Sequence, residues 1–263
     1  PAARQSGNGD GGDAEGDTAT GFENITGSAF NDTLTGDTGA NVIAGGAGDD
    51  IIEGGAGGDT LYGGDGVDTL SYATSSNAVS VALVSGAEAD LGSSDAQGDK
   101  ALGFENVLGS AYADRIIGDT GANVIDGGAG DDRIAGGAGA DILRGGDGID
   151  WLAYGDSSEG VNVRLNDGAA ATVSGGTAQG DTATGFENVT GSIYNDRLTG
   201  NAEANVLDGN GGDDVIEGGA GADTLDGDDG VDTLSYASSS AGVTVTLNGS
   251  AAATVSGGDA EGD

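Results

Sequence analysis

Aspartate recurs at intervals of nine residues between Gly27 and Ser71, in the units GSAFNDTLT, GDTGANVIA, GGAGDDIIE, GGAGGDTLY and GGDGVDTLS. The sixth residue of each unit is Asp or Asn, and the eighth is Leu or Ile. One carboxylate per unit at a fixed loop position makes a row of like charges, which repel each other unless a cation intervenes. Ca²⁺ binds about six to eight hard oxygen ligands from carboxylates and carbonyls. The spacing therefore predicts calcium binding.

The same units recur at residues 109–153 and 191–235, which gives fifteen candidate ligands in three blocks. Asparagine in the second unit of each block keeps a carbonyl oxygen but has no charge, so we expect that unit to bind calcium weakly or not at all. The first unit lacks the fourth-position glycine and is expected to be similarly poor. The candidate ligands are Asp32, Asn41, Asp50, Asp59, Asp68, Asp114, Asn123, Asp132, Asp141, Asp150, Asp196, Asn205, Asp214, Asp223 and Asp232.

Short strands separated by glycine turns are the elements that would position these residues. Glycine supplies the positive φ angles that tight turns require. The last three residues of each unit suit a short strand whose central aliphatic side chain points inward while its neighbours face solvent. We therefore expect an all-β fold, a parallel β-roll or β-solenoid made of G-G-x-G-x-D-x-U-x turns. A solenoid without metal, in which aspartate only stabilises turns, is the alternative.

The nonamers resemble the RTX, or haemolysin-type, calcium-binding repeats. The resemblance implies that two successive nonamers complete one coil and that each ion lies between loops two nonamers apart. Asp50 with Asp68 is then the strongest pair in the first block, and three such pairs per block give roughly nine ions or more. It also implies the tandem-cassette region of a large bacterial surface protein or adhesin, exported by type I secretion.

An interval of 82 residues relates the three blocks and the segments that connect them. We expect cassettes at residues 16–97, 98–179 and 180–263, and we expect residues 1–15 to be the tail of a preceding repeat in a longer array. The aromatic residues Phe22, Phe104 and Phe186 are predicted to cap the core, and Tyr72, Tyr154 and Tyr236 to close it. The connectors contain alternating apolar residues, such as Val79, Val81 and Leu83, which predict strands in further coils or in a packed hairpin.

Composition is strongly acidic, with 45 Asp and Glu against 7 Lys and Arg and a net charge of -38. This charge argues against nucleic acid and anionic membranes as partners, and there is no apolar run that suggests membrane insertion. Without cysteine, metal must supply the cross-linking. Few large apolar residues together with high charge are typical of disorder, so we expect a loose chain that folds when calcium binds.

Catalysis is not indicated, because the chain has no His, no Cys and no G-x-S-x-G motif. We therefore predict a non-catalytic region, and the 82-residue repeat favours a structural rod in an adhesin, surface layer or matrix fibre. The alternative is a calcium-dependent secretion and folding module of an exported enzyme or toxin, such as a protease or lipase. The resemblance implies an extracellular location, at the surface of a Gram-negative bacterium. Besides calcium, neighbouring copies of the array or a surface ligand are the candidate partners.

Overall fold

The computed structural model describes residues 4–5, 17–248 and 251–260, so the predicted tail at residues 1–15 lies outside it apart from residues 4–5. The chain divides into two compact units, Pro1–Ile134 and Ala135–Asp263, which we describe separately. The described helices are single turns of 3₁₀ helix at Ser94–Ala96, Gly176–Ala178 and Gly258–Ala260. None of them is long enough to cross a membrane.

Unit 1 contains thirteen strands, and a fourteenth lies at the boundary between the units. They are β1 (Arg4–Gln5), β2 (Asn24–Thr26), β3 (Thr33–Thr35), β4 (Val42–Ala47), β5 (Ile51–Glu53), β6 (Thr60–Asp65), β7 (Thr69–Ser71), β8 (Ser80–Ala82), β9 (Ala89–Asp90), β10 (Lys100–Leu102), β11 (Asn106–Leu108), β12 (Arg115–Ile117), β13 (Val124–Ala129) and the boundary strand β14 (Arg133–Ala135).

Unit 2 contains the remaining thirteen described strands. They are β15 (Ile142–Asp147), β16 (Trp151–Ala153), β17 (Asn162–Asn166), β18 (Ala169–Ser174), β19 (Thr182–Thr184), β20 (Asn188–Thr190), β21 (Arg197–Thr199), β22 (Val206–Asp208), β23 (Val215–Glu217), β24 (Thr224–Asp226), β25 (Thr233–Leu234), β26 (Thr244–Asn248) and β27 (Ala251–Ser256).

Two parallel sheets form the first block of nonamers. One sheet contains β3, β5 and β7, with Leu34 beside Ile52 and Ile52 beside Leu70. The other contains β2, β4 and β6, with Ile43 beside Leu61. The chain alternates between the sheets, so two nonamers complete one coil. The expected parallel β-roll is confirmed.

The eighth residue of each nonamer forms the core, because alternate residues of a strand face opposite sides of the sheet. Leu34, Ile43, Ile52, Leu61 and Leu70 are fully buried. In the other blocks Ile116, Ile125, Ile134, Leu143, Leu152, Leu198, Leu207 and Ile216 are also buried, whereas Leu225 and Leu234 are half-buried.

The first two connectors combine the structures that their alternating pattern left open, and the third shows only the hairpin of β26 and β27 within the described residues. In unit 1, β8 stacks in parallel on β12, with Val81 beside Ile116, and β10 stacks on β6. In unit 2, β17 stacks in parallel on β21 and also pairs with β18 in an antiparallel hairpin. The first two connectors therefore continue the coil and add a hairpin or a short antiparallel strand to its edge.

The connector also moves equivalent nonamers to the opposite sheet. In unit 1 the sheet of β3, β5 and β7, the odd nonamers of the first block, continues with β11 and β13. The first nonamer of the second block, β12, instead joins β8 on the other side. In unit 2, β16 likewise continues into β20, β22 and β24, while the first nonamer of the third block, β21, stacks on β17.

Aromatic residues close the core at the first two connectors, whereas Tyr236 at the third is only half-buried. Tyr72, Tyr154, Phe104 and Phe186 are all buried, as predicted. The prediction that Phe22 also caps the core is wrong for the described residues, because its side chain is 63% exposed. Phe186 lines a surface pocket together with Leu165 and Ala169 of the preceding hairpin.

Candidate calcium-binding loops

The sixth-position side chains form a ladder that links successive coils. The Oδ1 atom of Asp50 accepts a hydrogen bond from the backbone N–H of Asp32 at 2.8 Å, and Oδ1 of Asp68 accepts one from Asp50 at 2.8 Å. In unit 2, Oδ1 of Asp214 accepts the N–H of Asp196 at 2.7 Å. One oxygen of each carboxylate therefore fixes the spacing between two coils.

The second oxygen of several of these carboxylates has no protein donor. Asp50, Asp59 and Asp68 are each at most 1% exposed. Their Oδ2 atoms, and that of Asp214, are buried and accept no hydrogen bond within the described residues. A buried carboxylate oxygen without a donor or cation is strongly destabilising when it is charged. These four atoms therefore indicate where a positive ligand is required.

Oxygen atoms from two coils converge beside the first glycine of these loops. A methyl group on Gly45 would overlap Asp50 Oδ2 and would lie 2.5 Å from the carbonyl oxygen of Gly63, one coil further on. Gly209 has the same relation to Asp214 Oδ2. The donors at this point are carboxylate and carbonyl oxygens, the hard ligands that Ca²⁺ prefers. The residues present therefore fit calcium.

The second and fourth glycines are required for conformation as well as for space, because a methyl group on Gly46 or Gly48 would overlap backbone atoms of the neighbouring coil. Gly46 and Gly48 both have φ of 117°, a region that side chains rarely adopt. In the third block Asn210 and Asp228 replace the second glycine, with φ of 70° and 58°. Asn and Asp are the side chains that tolerate this conformation best.

Burial raises the pKa of Asp59, Asp68 and Asp214 to about 6. Burial is the largest cause, and neighbouring carboxylates raise the pKa further, Asp99 for Asp59 and Asp50 for Asp68. Hydrogen bonds from backbone N–H groups partly offset both effects. At neutral pH these groups are still mostly ionised, so the loops concentrate buried negative charge.

The first nonamer of each block closes its own loop. Asp114 Oδ2 accepts the Ser110 N–H at 2.5 Å, and Oδ1 accepts the Ser110 hydroxyl at 2.8 Å and the Val79 N–H at 2.7 Å. Asp196 and Ser192 repeat these contacts in unit 2. Protein donors therefore occupy both oxygens of these carboxylates.

The second nonamer is closed by its asparagine. Asn41 Oδ1 accepts the Asp37 N–H at 2.8 Å, and Nδ2 donates to the Glu23 carbonyl at 2.9 Å. Asn123 and Asn205 make the corresponding contacts. The amide thus satisfies within the protein the groups that an ion would contact, and weak calcium binding at these loops remains our prediction.

The remaining candidates lie at the equivalent ladder positions. Asp132, Asp141 and Asp150 are buried, as is Asp223, whereas Asp232 in the last described nonamer is exposed. Within the described ranges, no three acidic side chains converge on one point. An ion in these loops would therefore depend on backbone carbonyls as well as carboxylates.

Four connector residues that the nonamer pattern missed extend the ladder. Asp99 Oδ1 accepts the Asp59 N–H at 2.8 Å, and a Glu105 carboxylate oxygen accepts the Asp68 N–H at 2.9 Å. Asp181 and Glu187 do the same in unit 2. These contacts span 40 and 37 residues instead of 18, so a search at multiples of nine does not find them. The sequence signal that could have identified these four residues is their recurrence, since Asp181 and Glu187 follow Asp99 and Glu105 by 82 residues.

Coils of two short parallel strands, joined by glycine loops with inward-facing aspartates, define this chain as a parallel β-roll. The family model of the RTX calcium-binding nonapeptide repeat matches more than half of the chain. The chain belongs to this family, and it is a calcium-binding repeat region. The matched ranges are residues 17–52, 35–70, 108–143, 117–152, 181–216, 190–225 and 199–234.

Other comparisons give less. No curated protein matches the sequence. The chain is similar to the crystal structure of the extracellular lipase LipA from Serratia marcescens, at 18% identity and a TM-score of 0.24. The similarity covers 74% of this chain and 34% of the lipase chain, and at this TM-score it carries no argument.

Proposed function

We propose that this chain is a non-catalytic structural region of an extracellular, type I-secreted bacterial protein, in which calcium produces a rigid rod for an adhesin, surface layer or matrix fibre. The observation that carries the proposal is the set of buried Oδ2 atoms on Asp50, Asp59, Asp68 and Asp214, which accept no hydrogen bond within the described residues. The recurrence after 82 residues favours a train of structural cassettes over a secretion module of an enzyme or toxin.

Calcium stabilises the fold in this proposal because it binds only where two coils are stacked. Without the ion, buried carboxylates in a chain of net charge -38 repel each other and lack donors. With the ion, each open carboxylate gains a cation that also contacts carbonyl oxygens of the next coil. Binding free energy then becomes folding free energy.

The proposal includes three cassettes at residues 16–97, 98–179 and 180–263, with the fifteen sixth-position residues as candidate ligands. Those in the first two nonamers of each block would bind calcium most weakly. Roughly nine ions would neutralise about half of the net charge. A chain whose open loops order only in calcium would remain incompletely folded in the calcium-poor cytoplasm and would complete its fold outside a Gram-negative cell. Neighbouring copies of the array or a surface ligand would be its partners.

A calcium titration followed by far-UV circular dichroism tests the proposal. The β signal should increase as calcium is added and should decrease again with chelator. Magnesium should substitute poorly, because it prefers a small octahedral shell and releases its waters reluctantly. Small-angle scattering in calcium should give a radius of gyration well above the ~18 Å of a globule of this length. A circular dichroism spectrum that does not change when calcium is added would refute the proposal.

A further inference from the structure

The connector in unit 1 contains a buried carboxylate whose two oxygens both have protein donors. Asp99 Oδ1 accepts the Asp59 N–H at 2.8 Å, and Oδ2 accepts the Tyr72 hydroxyl at 2.8 Å. In unit 2, Asp181 accepts the Asp141 N–H at 2.9 Å and the Tyr154 hydroxyl at 3.1 Å. Oδ2 is the oxygen that lacks a donor in Asp59. In Asp99 and Asp181, a tyrosine hydroxyl therefore contacts the carboxylate oxygen that in Asp59 would need a cation.

Tyrosine remains a donor at this position. Burial, followed by the adjacent Asp99 carboxylate, raises the pKa of Tyr72, and burial together with Asp181 does the same for Tyr154. Both phenols therefore stay protonated across the physiological range.

The two loops that follow the connector are closed in the same way. Asp114 is bonded by Ser110 and Val79, and Asn123 by Asp119 and the Glu105 carbonyl. Both loops thus satisfy their polar groups within the protein, and unit 2 repeats the arrangement at Asp196 and Asn205.

The same segment adds buried apolar side chains that lie outside the ladder. Tyr72, Val79, Val81, Ala96 and Phe104 are each at most 5% exposed. Val81 lies beside Ile116 in paired strands, and both Ile116 and Ile125 are fully buried. Burial on this scale stabilises local structure without any ion.

We infer that residues 72–126 and 154–208 fold without calcium and act as templates for the ion-dependent loops, with Tyr72 and Tyr154 as positioning residues that replace the cation. By contrast, residues 45–71 contain three buried carboxylates with open Oδ2 atoms. The inference rests on the proposed function, since it divides the chain into calcium-requiring and calcium-independent segments.

Hydrogen exchange of backbone amides in the full chain, in chelator and in calcium, tests this division. The connector probes are the N–H groups of Leu83, Leu91 and Arg115, which donate to Ile117, Asp99 and Val79. The nonamer probes are those of Ile51, Thr60 and Thr69, which donate to Asp32, Asn41 and Asp50. In chelator we expect the connector probes to exchange on the order of 100-fold more slowly than the nonamer probes. In calcium both sets should be protected.

The possible failures are distinguishable. Equal loss of protection in both sets on chelation would overturn this inference and leave the proposed function intact. Equal protection of both sets in chelator and in calcium would overturn both, because no segment would then require the ion.

Tyr72→Phe tests the role of the hydroxyl. The variant leaves Asp99 Oδ2 without its donor. We expect the connector amides to stay protected from exchange in calcium, and in chelator to lose protection by on the order of tenfold or more. A purely structural role would reduce protection equally in both conditions and would contradict the assignment. Tyr62→Phe, on a side chain that is 39% exposed, is the matched control and should change neither.

Discussion

At the scale of single residues, the two oxygens of the ladder carboxylates have different roles. Asp50 Oδ1 is fixed by the Asp32 N–H, so the residue contributes to stacking even when no ion is bound. Its Oδ2 is buried and has no donor within the described residues. Oδ1 therefore fixes the spacing between two coils, and Oδ2 is the atom that a cation would bind.

Asp50→Asn should lower calcium affinity more than Asp32→Asn. The change removes a charge from an open oxygen at Asp50, whereas Asp32 Oδ2 already accepts the Ser28 N–H. We expect a loss of about tenfold or more for Asp50→Asn and a smaller loss for Asp32→Asn. Titration calorimetry on both variants measures the difference, and equal losses would contradict the distinction.

Acidification should stabilise the calcium-free chain. The pKa of Asp59, Asp68 and Asp214 is about 6 in the folded chain, against about 3.9 when unfolded. Between these values the folded chain binds more protons, so its free energy of unfolding falls as pH rises. Urea unfolding in chelator should therefore show higher stability at pH 4.5 than at pH 7.5.

Calcium should reverse this dependence. Since the ion binds the ionised carboxylates, its affinity should rise with pH through about 6. Calcium titrations at the same two pH values provide the check. Calcium-free stability that rises with pH over this range would contradict the assignment of these buried carboxylates.

At the scale of elements, each nonamer combines a turn that needs glycine with a strand that needs one large apolar residue. The first glycine lies against the next coil, and the second and fourth have positive φ. The strand is too short to be stable alone and depends on stacking. A change in the turn should therefore affect calcium binding as well as stability, whereas a change in the strand should affect stability alone.

Gly63→Ala should abolish stacking at its loop. A methyl group there would overlap the carbonyl oxygen of Gly103 and would lie 2.6 Å from Asp68 Oδ2. Gly92→Ala is the control, because no atom lies within 4 Å of the added methyl group. We expect weaker calcium binding and lower stability for Gly63→Ala only, measured by calorimetry and thermal unfolding in calcium.

Ile52→Ala should destabilise the folded chain without changing the loops. Ile52 is fully buried, and loss of its side chain should cost about 2–5 kcal/mol. Ile51→Ala, at a side chain that is 44% exposed, should change stability by no more than about 0.5 kcal/mol. Urea unfolding at saturating calcium compares the two, and similar losses would argue against the inward ladder.

Strand positions were predictable wherever the pattern was strictly periodic. The alternation at Val79, Val81 and Leu83 identified β8, and the spacing of nine identified the buried row from Leu34 to Leu70. The partners of Asp59 and Asp68 were not predictable in this way, because the connector places Asp99 and Glu105 at irregular distances. The pattern also did not indicate that equivalent nonamers of successive blocks lie in opposite sheets. This depends on how many strands the connector adds to the coil.

At the scale of the whole molecule, the net charge of -38 raises the question of whether any cation suffices. General screening reduces repulsion between exposed carboxylates, and the Debye length is about 3 Å at 1 M salt. Screening does not supply a ligand to a buried Oδ2 atom. The two effects are therefore separable by experiment.

Sodium chloride at about 1 M should not reproduce the folding that millimolar calcium induces. We expect the far-UV circular dichroism in chelator and high salt to lack the β signal of residues 45–71 and their counterparts. Calcium should restore the signal at low and high salt. Complete folding in sodium chloride alone would show that charge neutralisation suffices and that the loops need no specific ion.

The exchange of sheets at the connector in unit 1 places equivalent loops on opposite edges of that unit. Phe30 and Tyr112 are exposed and occupy the same position in the first nonamers of successive cassettes. Within unit 1, however, the strands after them, β3 and β12, belong to opposite sheets, so their loops lie on opposite edges. A ligand that binds the exposed aromatic residue of one cassette would find the equivalent residue of the next cassette on the opposite edge. An array built in this manner would be bivalent along its length and could hold two neighbours on opposite sides.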